Sequence, residues 1–252
     1  MPRMLTRVHH VGLVVRRLED GLAFWQDVLG LRVANQATVK DQGVRAALLP
    51  IGRSEIELLE PIAPEGGVAK FLERRGEGLH HVCFETPDVA AELGTARDRG
   101  FALIDQAPRA GLAGMIGFLH PKGTCGVLVE FATPPSAAHG DGRPASGPLA
   151  GLALEEIQAH SRDPRAAADV FAGRLGLSSV AGAAPAVGCG GVRLVFIAGE
   201  AASEGLAGLV LQVNDLGAAG PPLDRFTRSR TAHSLALEPE RCHGVPLVVR
   251  GS

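Results

Sequence analysis

The chain has 252 residues, 25 Lys and Arg against 27 Asp and Glu, a formal net charge of -2 and 46% hydrophobic residues. So even a balance gives no basic surface for nucleic acid or another polyanion, and no run approaches the ~18 apolar residues of a membrane-spanning helix. The opening MPRMLTRVHH lacks the apolar core of a secretory signal, so a cytoplasmic protein of one or two domains, with no membrane partner, is expected.

In chain order, residues 8–15 read as a strand and 18–29 carry apolar residues at helical spacing before Gly30 stops them. Short runs at 33–38, 44–50 and 54–59 follow, separated by turn residues such as Asp41-Gln42-Gly43 and Gly52-Arg53. This is a βαβββ module. After a connecting helix at 67–75 the pattern restarts, with a strand at 79–85, a helix at 89–99 and strands near Leu103, at 115–120 and at 126–131.

The modules share more than their order of elements. The first opens a strand on His9-His10 and closes a later one on Glu57; the second does so with His80-His81 and Glu130. Successive strand side chains point to opposite faces, so one His of each pair can face a site while its neighbour, His9 or His80, faces away and satisfies local hydrogen bonds. Two facing modules would bring together two imidazoles and two carboxylates, suited to one divalent ion such as Zn, Ni, Co or Mn. Cys83, Cys125, Cys189 and Cys242 are scattered, without C-x-x-C spacing, which points to reduced structural thiols. His160, His233 and His243 do not repeat the module spacing and are not read as ligands.

Residues 134–149 turn rich in Pro, Gly, Ser and Ala and lose apolar periodicity, as a linker would. Beyond them, residues 150–252 restart the strand-helix opening, with Leu-Gly-Leu at 175–177 matching Leu-Gly-Leu at 29–31. At the ligand places stand Glu156 for His10, Val or Phe near 195 for Glu57, Gly208 for His81 and Val248 for Glu130. The expected architecture is α+β, with tandem βαβββ modules in two paired-module domains: a metal-binding domain at 1–133 and a degenerate one at 150–252. The second is read as a packing partner that replaces a contact a shorter relative would make by dimerising; a homodimer of the whole chain is left open.

These residues resemble the vicinal oxygen chelate (glyoxalase/bleomycin resistance/dioxygenase) superfamily. Within it, residues 5–133 resemble the methylmalonyl-CoA epimerase family through HHVGLVVRRLEDGLAFWQDVLGL, DQGVR, EIELLEP, KFLERRGEGLHHVCFE, PRAGLAG and FLHPKGTCGVLVE. The resemblance implies the vicinal oxygen chelate fold and one divalent metal (Co, Ni, Mn or Zn) held by His10, Glu57, His81 and Glu130. It also implies an acyl-CoA substrate whose thioester end meets the PRAGLAG loop, with Arg109, Gly111 and Gly114, while Lys122 is a candidate for a phosphate or carboxylate. The implied reaction epimerises a 2-substituted malonyl thioester by proton abstraction through a metal-stabilised enolate. Inversion needs acid/base groups on two faces, and Glu130, then Glu57, are the candidates.

Two places depart from the family's pattern. A further carboxylate used by several members, three residues after the glycine of DQGVR, is here Ala46, and Met115-Ile116 makes the PRAGLAG region more apolar, which leaves the acyl group open. The alternatives are a glyoxalase I-like lyase and a non-catalytic small-molecule-binding protein. An extradiol dioxygenase fits less well, since a fourth protein ligand would obstruct its oxygen positions.

Overall fold

The computed structural model describes residues 5–135 and 146–252, an α+β protein in which two eight-stranded sheets repeat one topology. The first contains β1 (Val8–Val14), β2 (Asn35–Val39), β3 (Val44–Ile51), β4 (Ser54–Pro61), β5 (Gly78–Glu85), β6 (Arg109–Gly111), β7 (Gly114–Leu119) and β8 (Leu128–Thr133), in the order β2-β3-β4-β1-β5-β8-β7-β6. The second contains β9 (Ala153–Ser161), β10 (Ser178–Val180), β11 (Ala186–Cys189), β12 (Val192–Ala198), β13 (Gly205–Val213), β14 (Thr227–Arg230), β15 (Ser234–Leu237) and β16 (Leu247–Gly251). Its order, β10-β11-β12-β9-β13-β16-β15-β14, is the same path. The helices are α1 (Leu18–Trp25), the connector α2 (Gly67–Arg75), α3 (Val89–Asp98), α4 (Pro164–Asp169) and α5 (Leu216–Leu223). Among the described residues no helix is long and apolar enough to cross a membrane.

By contact the described chain groups into two compact units, the first made of residues 5–10, 81–135 and 156–207 and the second of 11–80, 146–155 and 208–252. The first unit buries Phe84, Phe131, Phe171 and Phe196, the last two with ring centroids 5.2 Å apart. In the second, Trp25, Leu13, Leu49, Ile51 and Ile56 are fully buried. The linker expected at 134–149 falls mostly on 136–145, outside the described residues.

Local chemistry explains the helix starts. Asp88, Asp163 and Asp215 cap α3, α4 and α5, each side chain accepting the backbone N–H three residues on at 3.0–3.1 Å. At α1 the capping residue is Arg17, and Glu60 from β4 accepts the Leu18 N–H instead, at 2.9 Å. The α1 helix ends at Trp25, not at residue 29. Past it the turn widens: Leu29 N–H reaches Phe24 O, five residues back, at 3.1 Å before Gly30 turns the chain at φ 75. The third module repeats this, with Leu175 N–H on Val170 O at 3.2 Å and Gly176 at φ 78. Apolar spacing reports burial and is blind to a change of hydrogen-bond ladder, hence the longer helix expected from sequence. Likewise the strand expected near Leu103 forms at Arg109–Gly111, Leu103 keeping one isolated bridge to Leu119. β8 starts at Leu128, after a 3-10 turn at Pro121–Gly123 and left-handed Cys125 and Gly126.

Candidate metal centre

Strand alternation and pairing build the site from the first unit. β5 and β8 run parallel with Cys83 opposite Glu130, and directly paired residues share a face, as do alternate residues of one strand. His81 therefore shares a face with Glu130, and β1 supplies His10. His10 Nε2 lies 3.0 Å from His81 Nε2 and 2.9 Å from Glu130 Oε2, and His81 Nε2 lies 3.0 Å from the same oxygen. All three side chains are buried, at 0%, 2% and 3% exposure.

Burial alone would push the Glu130 carboxyl upward, but the His10 charge and hydrogen bonds from His10 and His81 outweigh it, and the net shift is well below the ordinary carboxylate range. An anionic oxygen and two imidazole nitrogens therefore meet in a buried cluster. The triangle fits a first-row divalent ion: donors about 2.1 Å from one ion and at right angles to each other stand about 3.0 Å apart. Among the described residues the other cluster of donors within 4.8 Å is His9, His10 and Cys83, which shares His10.

His9, expected from strand alternation to face away from the site, contacts its neighbour through its ring. Its Nδ1 meets His10 Nδ1 at 2.8 Å, the two rings edge to face at 5.1 Å. His80, in the second unit, stands edge-on to Phe71 of α2 at 5.0 Å. Phe118 buttresses the centre, its ring 5.4 Å from that of His81. The Arg109 guanidinium lies 5.5 Å from the Phe118 ring and is held by Asp105 at 3.1 Å, whose other oxygen accepts the Phe118 N–H at 3.0 Å. Arg109 thus contacts the Phe118 ring, which in turn contacts His81.

Gly111 and Gly114 face each other across the two-residue turn between β6 and β7. A side chain at Gly111 would strike Ile116; one at Gly114, where φ is 104, would press onto the Thr133 carbonyl oxygen. Lys122 is exposed on the 3-10 turn before β8, its backbone N–H donating to His120 Nδ1 at 3.1 Å. Glu57 belongs to the second unit, on β4 opposite Leu48, and is 7% exposed; Ala46, on β3 opposite Leu59, is buried.

The second half holds a different arrangement at the equivalent places. Glu156 is buried on β9, its carboxylate accepting from Gln158 Nε2 at 2.9 Å and from Arg193 Nη2, its β12 register partner, at 2.7 Å. Gly205 opens β13 as Gly78 opens β5, both with positive φ, which sets Gly208 where His81 stands. The Leu209–Leu247 pairing then sets Val248 where Glu130 stands.

Repeated βαβββ modules and a buried His-His-Glu triangle define a protein of the Glyoxalase/Bleomycin resistance protein/Dioxygenase superfamily, whose sequence profile matches residues 9–118. The chain belongs to this superfamily. Its first half is similar to the uncharacterized protein YqjC of Bacillus subtilis, 37% identical over 54% of this chain and 99% of the relative. It is also similar to the human mitochondrial methylmalonyl-CoA epimerase, 31% identical over 50% of this chain and 73% of the relative. A solved structure of a Streptomyces coelicolor methylmalonyl-CoA epimerase variant in complex with 2-nitronate-propionyl-CoA superposes at TM-score 0.51 with 37% identity, covering 52% of this chain and 99% of that one. A 4-hydroxymandelate synthase variant of the same organism covers 94% of this chain and 78% of its own at TM-score 0.68; at 18% identity this likeness is one of fold alone.

Proposed function

We propose that the chain is a metal-dependent epimerase of a 2-substituted malonyl-type acyl-CoA. The observation that carries this reading is the buried His10, His81 and Glu130 triangle, within a half that is similar to methylmalonyl-CoA epimerases. In this reading residues 1–133 form the catalytic domain, 134–149 the linker and 150–252 a degenerate partner domain. His10, His81 and Glu130 would hold the ion, which when bound would stabilise negative charge developing on the thioester oxygen, and the resemblance to the epimerases adds Glu57 as the fourth ligand. Glu130, kept ionised by its histidine neighbours, accepts the proton from C2. Glu57 is the second acid/base group, because inversion requires a proton returned to the other face. Arg109 and Lys122 meet the anionic groups of the acyl-CoA, and Gly111 and Gly114 let the β6–β7 turn approach it closely.

The decisive experiment incubates metal-loaded protein with methylmalonyl-CoA and ethylmalonyl-CoA in deuterated water and follows deuterium at C2. Enzyme-dependent exchange of either supports the reading. A second reading, an oxygen-dependent enzyme, is favoured by the two-His, one-carboxylate composition of the triangle, a set used by non-haem iron oxygenases. Oxygen uptake by the iron-loaded protein, with no exchange in any thioester, would replace the first reading by the second.

A further inference from the structure

Behind the candidate metal centre His9 and His10 meet at 2.8 Å. A neutral imidazole carries one ring proton, so one nitrogen donates and the other accepts. For His10 to offer an Nε2 lone pair to an ion, its proton must sit on Nδ1, and the atom facing Nδ1 at 2.8 Å is His9 Nδ1. His9 must then accept there and carry its own proton on Nε2. The opposite assignment puts the His10 proton on Nε2, aimed at Glu130 Oε2 at 2.9 Å, where it satisfies the carboxylate and blocks a metal bond.

We propose that His9 is a positioning residue that sets the metal-binding tautomer of His10, accepting its Nδ1–H when the ion is bound. The inference rests on the metal reading above. Moving between the two assignments takes the His10 proton from Nε2 to Nδ1 and the His9 proton from Nδ1 to Nε2, so the pair changes state with no net gain or loss of protons. Geometry supports a dedicated role: both rings are buried, at 1% and 0% exposure, and stand edge to face. Ligand histidines held by an acceptor on their second nitrogen gain orientation and basicity, and losing such an acceptor weakens metal binding about 10- to 100-fold.

The test compares the parent with His9→Phe, which keeps a ring but no acceptor, and His9→Asn, which keeps an acceptor oxygen. Zinc affinity is measured by competition with a chromophoric chelator, and 15N NMR of histidine-labelled protein reads the His10 tautomer with and without zinc. The expected result is a zinc affinity about 10- to 100-fold lower in His9→Phe and largely recovered in His9→Asn, with the zinc-loaded parent showing a protonated Nδ1 at His10. Circular dichroism and thermal unfolding of the metal-free variants separate this from misfolding, and should a poorly folded His9→Phe result, the tautomer signal of the parent decides. A parent that binds zinc, with His9→Phe binding it equally or His10 protonated on Nε2, overturns the inference alone. A parent that binds no divalent ion overturns the metal reading and the inference with it.

Discussion

Arg99 and Arg174 clasp one another through their backbones: Arg99 Nη1 donates to the Arg174 carbonyl at 2.7 Å, and Arg174 returns Nε and Nη2 to the Arg99 carbonyl at 3.2 and 2.8 Å. Both residues belong to the first unit, although 75 positions separate them in sequence. Arg99 closes α3, where unpaired carbonyls attract cations, and Arg174 also lies 4.2 Å over the Phe101 ring. Arg174→Ala removes two of the three bonds and the ring contact. The expected loss is about 1–2 kcal/mol, since these groups are partly solvated, read as a lower midpoint in urea unfolding.

Metal content follows the ligand places. Purified protein reconstituted with zinc or cobalt should hold about one ion per chain and lose it in His81→Ala. Elemental analysis after gel filtration makes the measurement. Two ions per chain would point to a second centre, and a full load in the variant would remove His81 from the ligand set.

Glu130→Gln separates binding from proton transfer. The amide keeps an oxygen for the ion but cannot accept a proton, so exchange into a malonyl-type thioester should fall by about 10²- to 10⁴-fold while metal content changes much less. Exchange in deuterated water at saturating substrate is the assay. Unchanged exchange would pass the base role to Glu57.

Gly114→Ala tests the turn that carries the PRAGLAG segment. With φ at 104 and the Thr133 carbonyl in the way, a methyl group there should destabilise the protein by more than about 2 kcal/mol. Gly94→Ala on α3, where the nearest atom is an Arg97 side-chain nitrogen at 3.8 Å, should be neutral or mildly stabilising. Thermal unfolding of the pair gives the contrast, and equal midpoints would contradict the close approach at Gly114.

Cys242 supplies a pH prediction. Burial, with Glu238 adding to it, pushes its thiol from the ordinary 9.0 up to about 12. The folded thiol keeps its proton over a window in which the unfolded one releases it. Its contribution to stability is therefore whole below about pH 9 and is lost as pH rises toward 12. Iodoacetamide at pH 8 should leave Cys242 unmodified in the folded protein and label it after denaturation, as peptide mass mapping would show.

Three of the four candidate ligands, His10, His81 and Glu130, were legible as one cluster because a duplicated spacing in strands of period two fixes which residues share a face. The role of His9 was not, since alternation assigns faces but not ring rotations, and the Nδ1 contact depends on the latter. Glu156 was legible as a departure from the ligand pattern, whereas its neutralising partner, Arg193, emerges only from the β9–β12 register. The α1 boundary was misplaced because Leu29 and Leu31 stay buried past the point where the bonding widens.

The Glu156–Arg193 pair couples two positions of the second half. Changing Glu156 to the histidine of the equivalent position would remove the carboxylate that accepts from Arg193 Nη2 and leave a fixed positive charge beside the new imidazole. Replacing Arg193 first would leave a buried anion held only by Gln158. A histidine at this place therefore calls for a change at position 193 as well as at 156, because the two side chains are hydrogen-bonded to each other.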